Sequence, residues 1–378
     1  MRDVNLHKLQ NTDEWRTSAL HFQEFGCYTK LTPNPSPNSP YMKFWKEEMR
    51  RSIHGYHTGR DFISGYYYFY LNYSPIMIAE AVEDETDEER KAKLEDEHAM
   101  DLVRAVRIED FPAVWDGDYD YFTYLEEAEA RGEWASVLKT RGRGYSFKGA
   151  SMLNRNYHLI PRSVSYAIAS EKEYLIRDGI LSKAWANMSF LDQHTPWKKL
   201  RQVKKDMMHR RASYVADGIE KGYMSEIIGI TMKDEPEKAR GKRGKLILWE
   251  EAGKFSNLLK AWQIAKSSMK QGRNVYGLMA AFGTGGTEGA EFESLEKLFY
   301  KPKAYNIYAI PNRWDADRAG TLSGFYHGEQ TNREGFMDKD GNSDEESAAN
   351  QVKKERKIME DEGIGRTEML QEIAENSL

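Results

Sequence analysis

Residues 138–151, LKTRGRGYSFKGAS, set Gly142 and Gly144 where backbone N–H groups can turn inward on an anion. A helix follows directly, and its N-terminal donors and dipole favour the same charge. Lysines stand at both ends, Lys139 and Lys148. Ser146 takes the place of a Mg2+-binding hydroxyl, and Thr140, Arg141 and Arg143 fill the turn. The chemistry implied is capture of a polyphosphate. Tyr145 occupies the position at which the regular GxxxxGK[ST] pattern keeps its lysine, so the stretch by itself also reads as a Gly-rich turn between strand and helix.

Two further stretches follow in the order that phosphate cleavage requires. LILWEEAG at 246–253 is a short apolar strand ending in adjacent carboxylates, which suits Glu250 for Mg2+ and Glu251 for the attacking water. Alone, the pair is equally the acidic start of a helix. VYGLMAAFGTGGTEG at 275–289 is a strand running into a Gly and Thr loop, in which Thr284 is the candidate sensor of a γ-phosphate. With strands and helices between them, all three stretches can end on one sheet edge, where open α/β folds bind ligands.

Those groups need an α/β scaffold, and short apolar runs alternate with helical periodicity from Trp134 onward. Strands are expected at 135–138, 163–170, 225–232, 245–249, 275–282 and 304–310, and helices at 146–159, 171–188 and 255–271. Upstream, the prolines of LTPNPSPNSP (31–40) predict an extended arm, and GYYYFYLNYSPI (65–76) reads as strand or buried loop. EDETDEERKAKLEDE (83–97) reads as a solvated helix or disordered insert, and 337–350 as a mobile linker before a charged C-terminal helix.

Composition narrows the class. The 378 residues carry 55 Lys and Arg against 60 Asp and Glu, a net charge of −5, which excludes a basic nucleic-acid coat. No apolar run approaches the roughly 20 residues that span a bilayer, and no membrane association is expected. The single cysteine, Cys27, excludes an internal disulfide, and the nine His residues show no zinc spacing.

On KTRGRGYSFK, LILWEEAG and FGTGG, the sequence resembles the large terminase subunits of tailed bacteriophages, from about Gly65 to about Asn312. YYYFYLNYSPI, FPAVWDGDYDYF and YNIYAIPNRWDA look like strings of crAss-like phage terminases. The resemblance implies a P-loop NTPase of the additional-strand, RecA-like class with a mainly parallel sheet. It implies an N-terminal arm and lid over 1–110, an ATPase core over 111–328 and a polar linker with a C-terminal helix over 329–378. It assigns Lys139 to the phosphates, with Lys148 as the other candidate, and Ser146 and Glu250 to Mg2+. Glu251 would polarise the water and Arg141 would act on the transition state, with Arg143 a second candidate. Thr284 and Gly285 would couple hydrolysis to movement, and the adenine contact is expected around Trp115 to Phe122. Implied cofactors are ATP and Mg2+. Implied partners are double-stranded DNA, a portal protein, a small terminase subunit and further copies in a ring, in the host cell cytoplasm. The residues past Asn312 are too few for the family's nuclease domain, so nuclease activity is not expected.

Two basic clusters suit a sequence-independent DNA track. WKKLRQVKKDMMHRR at 197–211 includes Lys198, Lys199, Lys204 and Lys205, and KARGKRGK at 238–245 includes Arg240, Lys242 and Arg243, the arginines being candidates for a neighbouring subunit's nucleotide. Two other readings stay open at this level: another translocase or helicase of the same class, and a P-loop scaffold that binds without turnover.

Overall fold

An apolar run such as Leu246–Trp249 can be buried throughout only in a sheet covered on both faces. The computed structural model, which describes residues 7–59, 61–79, 107–233, 235–272, 274–284 and 290–361, forms such a sheet. The chain runs through α1 (Thr17–Phe25), α2 (Pro40–His54), α3 (Gly65–Tyr73), α4 (Asp116–Arg131), β1 (Ala135–Lys139), α5 (Tyr145–Leu159), β2 (Val164–Ala169) and α6 (Ile180–His194). It continues through β3 (Gln202–Lys205), β4 (His209–Arg211), β5 (Glu226–Thr231), β6 (Leu246–Trp249), α7 (Leu258–Met269), β7 (Leu278–Thr284), α8 (Ala290–Tyr300), β8 (Phe325–His327) and α9 (Glu345–Asp361).

The eight strands lie in the order β8-β1-β7-β6-β2-β5-β4-β3, parallel from β8 to β5 and antiparallel at the β4 and β3 edge. One strand, β7, separates the loop strand β1 from the carboxylate strand β6, which gives the mainly parallel, helix-flanked α/β sheet with an additional strand that the sequence led us to expect. Alternate residues of each strand feed two cores. Leu246, Leu248, Leu278 and Ala280 pack with α3, α4, α5 and α6, whereas Ile247, Trp249, Met279 and Ala281 pack with α7 and α8.

Four expectations change. GYYYFYLNY, read as strand or loop, is helix α3, capped by Ser64 and buried at every residue. Its aromatics favour strands when half exposed, but burial on all sides removes that preference. Its polar groups find partners: Tyr66 donates to Glu129, Tyr68 to Glu48, and the Asn72 amide bonds Trp15 and Ala19. The helix expected over 171–188 breaks at Asp178, whose φ is 52°, so that α6 starts at Ile180 and extends to His194.

The strand expected over 304–310 opens instead as a 3-10 turn, Pro302–Tyr305, followed by left-handed Asn306; it meets the main sheet through the Trp134 and Ile307 bridge, and its last residue, Ile310, begins a two-residue strand paired with Leu322–Ser323 outside that sheet. The edge place beside β1 goes to β8 instead. Residues 337–350 are not a mobile linker. Asp116 accepts from Ser343 N and Oγ, Asn342 exchanges hydrogen bonds with the Leu9 backbone, and Gly341 (φ 77°) leaves no room for a Cβ, which would stand 1.9 Å from Val114 O. The 83–97 stretch lies outside the described residues.

Candidate active site

Sheet register sets the site. Lys139 ends β1 level with Thr284 on β7 and His327 on β8, and Glu250 and Glu251 leave β6 at the same sheet edge. After Lys139 the chain turns through Gly142 (φ 76°) and Gly144 (φ 66°), conformations that glycine takes without strain, and enters α5 with no side chain capping its first turn. The first-turn N–H groups of α5 are thus left open as donors of the kind that can receive an anion.

The predicted groups meet in two pairs. Lys139 Nζ lies 3.0 Å from Glu251 Oε1, and Ser146 Oγ donates to Glu250 Oε1 at 2.6 Å. Glu250 is 3% exposed, and its Oε2 is buried without a hydrogen-bond partner among the described residues. Burial first, then the charge of Glu251, pushes the Glu250 carboxyl up to about 7. A buried carboxylate with one orphan oxygen beside a hydroxyl is the hard oxygen set that Mg2+ takes, so the residues present fit the ion. Glu251 stands in the left-handed region at φ 45°, ψ 55°, a strain of about 1–3 kcal/mol for a non-glycine residue at a strand end.

The rest of the loop divides into groups that face the mouth and groups that hold it. Arg141 is exposed at the turn. Arg143 points away from the mouth, donating to Thr140 Oγ1 at 3.2 Å and to the carbonyls of Asn332 and Glu329 at 2.8 and 2.7 Å. Thr140 N donates to His327 O. Tyr145 packs against Tyr121 and Phe282, its hydroxyl 3.2 Å from His327 Nδ1. Lys148 is buried beneath the loop, 2.6 Å from Asp118 Oδ1. Thr284 is 9% exposed at the end of β7, and Gly285 lies outside the described residues.

Asp118 and His327 escape sequence reasoning. Asp118 sits in WDGDYDYF, where its acid neighbours read as the ordinary start of a helix. The one signal there is an acid set in an aromatic-rich run, between Trp115 and Tyr119, which marks a buried face. The Trp115 to Phe122 segment forms the cap and first turns of α4, among whose buried residues Asp118 faces Lys148.

The basic clusters lie apart from these groups. Lys198, Lys204 and Lys205 are exposed on or before β3, six strands from β1 and thus roughly 30 Å across the sheet. Lys204 is 3.3 Å from Glu220, and Lys199 stands over the Tyr223 ring at 4.1 Å. Arg240, Lys242 and Arg243 precede β6, at the sheet edge opposite Glu250 and Glu251. Arg240 pairs with Glu237 at 2.6 Å, and Arg243 donates to Ser268 O. Among the described residues no helix is long and apolar enough to cross a membrane, and no group of three His, Cys, Asp or Glu forms a metal cluster.

Comparison with protein-family models gives no match, nor does comparison with curated protein sequences. Among solved structures the chain is similar to a point mutant of the large terminase ATPase domain of Thermus phage P74-26, at 12% identity over 64% of this chain and 88% of that one, with a TM-score of 0.43. It is similar to the large terminase of bacteriophage HK97 (11% identity, 71% and 52% of the chains, TM-score 0.41). The large terminase of a thermophilic bacteriophage, in complex with ADP, is a further neighbour (12% identity, 51% and 44% of the chains, TM-score 0.34).

Proposed function

We propose that this chain is a Mg2+-dependent ATPase of the phage large-terminase type, whose hydrolysis draws double-stranded DNA into a procapsid. The observation that carries the ATPase reading is the meeting of Lys139 with Glu251 and of Ser146 with Glu250, from two segments about a hundred residues apart, beside an open glycine loop. A mere strand-to-helix turn has no use for two carboxylates, one of them desolvated, at its mouth.

In this reading the loop N–H groups and Lys139 hold the phosphates. Mg2+ taken up by Ser146 and Glu250 would supply charge neutralisation on the β- and γ-phosphates. Glu251 orients the attacking water and accepts its proton once Lys139 turns to phosphate, Arg141 acts on the developing charge from the exposed turn, and Thr284 reports the γ-phosphate to β7. The exposed cations Lys198, Lys204 and Lys205 offer phosphate contact to DNA, and Arg240 and Arg243 face outward for a neighbour in a ring. A portal, a small terminase subunit and the host cytoplasm complete the terminase reading.

The test is Mg2+-ATP hydrolysis with and without linear double-stranded DNA. DNA should accelerate turnover in the wild type and fail to do so in Lys204→Glu/Lys205→Glu. Absence of Mg2+-dependent turnover under both conditions contradicts the ATPase reading, and equal stimulation of the two proteins contradicts the assigned DNA track.

A further inference from the structure

The loop's second lysine has a different set of partners from its first. Lys148 and Asp118 are each 1% exposed and 2.6 Å apart, and the same ammonium donates to the backbone carbonyl of Arg143. It also lies 4.6 Å from the centre of the Tyr145 ring, which is itself packed on Tyr121, Phe282 and His327. Apart from the Arg143 carbonyl, which belongs to the loop, these partners are buried in the core.

That arrangement fixes a peptide plane. In a trans peptide the C=O and the following N–H point in opposite directions. Drawing the Arg143 carbonyl down onto Lys148 therefore turns the Gly144 N–H outward, to the side on which α5 offers its own first-turn donors. The left-handed φ of Gly144, 66°, lets the chain leave that peptide and enter the helix directly. The residue standing where a phosphate lysine is usual, Tyr145, is thereby used for packing, and Lys148 is used for backbone orientation.

We infer that Asp118 and Lys148 form a buried clamp that aims the Arg143–Gly144 peptide at phosphate, making Asp118 a positioning residue for nucleotide binding. The inference rests on the nucleotide-site reading above. Asp118 supplies the counter-charge that keeps the ammonium inside, and without it Lys148 has no reason to stay under the loop. Replacing both charges by apolar side chains of similar size is commonly neutral for folding. The clamp's effect on binding is therefore separable from its effect on stability.

The experiment compares wild type with Asp118→Leu/Lys148→Met, measuring melting temperature and the affinities of Mg2+-ADP and of adenosine, which has no phosphate. The double variant should melt within a few degrees of the wild type, bind Mg2+-ADP about tenfold or more weakly, and bind adenosine unchanged, the scale of losing one hydrogen bond to a charged ligand. Unchanged Mg2+-ADP affinity, or parallel loss for both ligands, overturns the clamp. A second measurement needs no variant: in the wild type the Gly144 amide resonance should shift with Mg2+-ADP and stay put with adenosine, and an unmoved amide overturns the clamp even if the double variant fails to fold. Wild type that binds no Mg2+-ADP overturns the nucleotide-site reading itself, and the clamp with it.

Discussion

Glu250→Gln should make the protein less sensitive to alkaline pH in the absence of metal. Glu250 is wholly buried, its Oε2 has no partner among the described residues, and its carboxyl rises from 4.5 to about 7 because burial, and then Glu251, disfavour the charge. Between those two values the folded protein holds a proton that the unfolded chain has released, so stability falls as pH rises through that window. The full effect above pH 7 is on the order of 3 kcal/mol. Glutamine keeps the bond from Ser146 and does not titrate; the cost of burying its amide is the same at every pH and cancels in the comparison. Denaturant unfolding in EDTA at pH 5 and pH 8 measures the difference. The wild type should lose about 2 to 3 kcal/mol relative to Glu250→Gln on going from the lower to the higher pH, part of the effect being already lost at pH 5, and Mg2+-ADP should restore the wild type alone. Parallel pH profiles for the two proteins would refute the reasoning.

Two other outcomes follow from the geometry. Lys139→Met should reduce kcat/KM for ATP by about 100-fold or more, the scale of losing a preorganised charge on the phosphates. Its melting temperature should change little, because Glu251 is 26% exposed and can be solvated once its partner is gone; wild-type turnover would contradict the role. Gly341→Ala should destabilise the protein by about 1–3 kcal/mol, since the new Cβ meets Val114 O at 1.9 Å on a backbone with φ 77°. Unfolding at an unchanged denaturant midpoint would show that the 338–342 turn is not held against α4 as described.

The strands that carry the site are legible in the sequence because both faces of the sheet are covered. ASVLK, LILW and LMAAFGT read as unbroken apolar runs whatever the register, and their polar ends, Lys139, the glutamate pair and Thr284, mark the edge where ligands sit. Local pattern fails where a neighbour decides. Helix α3 is made of residues that favour strands, and its form is explained by contacts from elsewhere in the chain, among them those of Tyr66 with Glu129, Tyr68 with Glu48 and Asn72 with Trp15 and Ala19. The three residues of β8 are too few to show a period, so local pattern favours the longer 304–310 run for a strand, and Asn306 breaks that run. The polar tail over 337–350 looks unstructured in composition, yet Asp116 and Leu9, each more than 200 residues away, supply its hydrogen bonds. Lys148 can be found in the sequence but not interpreted, because its partner Asp118 comes from an element that the loop motif does not include.

The most direct test of the central claim is steady-state Mg2+-ATP hydrolysis by the wild type and by Glu251→Gln, with nucleotide affinity measured for both. The geometry predicts that the wild type turns over while the variant still binds ATP and loses roughly 100-fold or more in rate, the general-base scale. A variant that hydrolyses as fast as the wild type, or a wild type that binds no nucleotide at millimolar ATP, would contradict it.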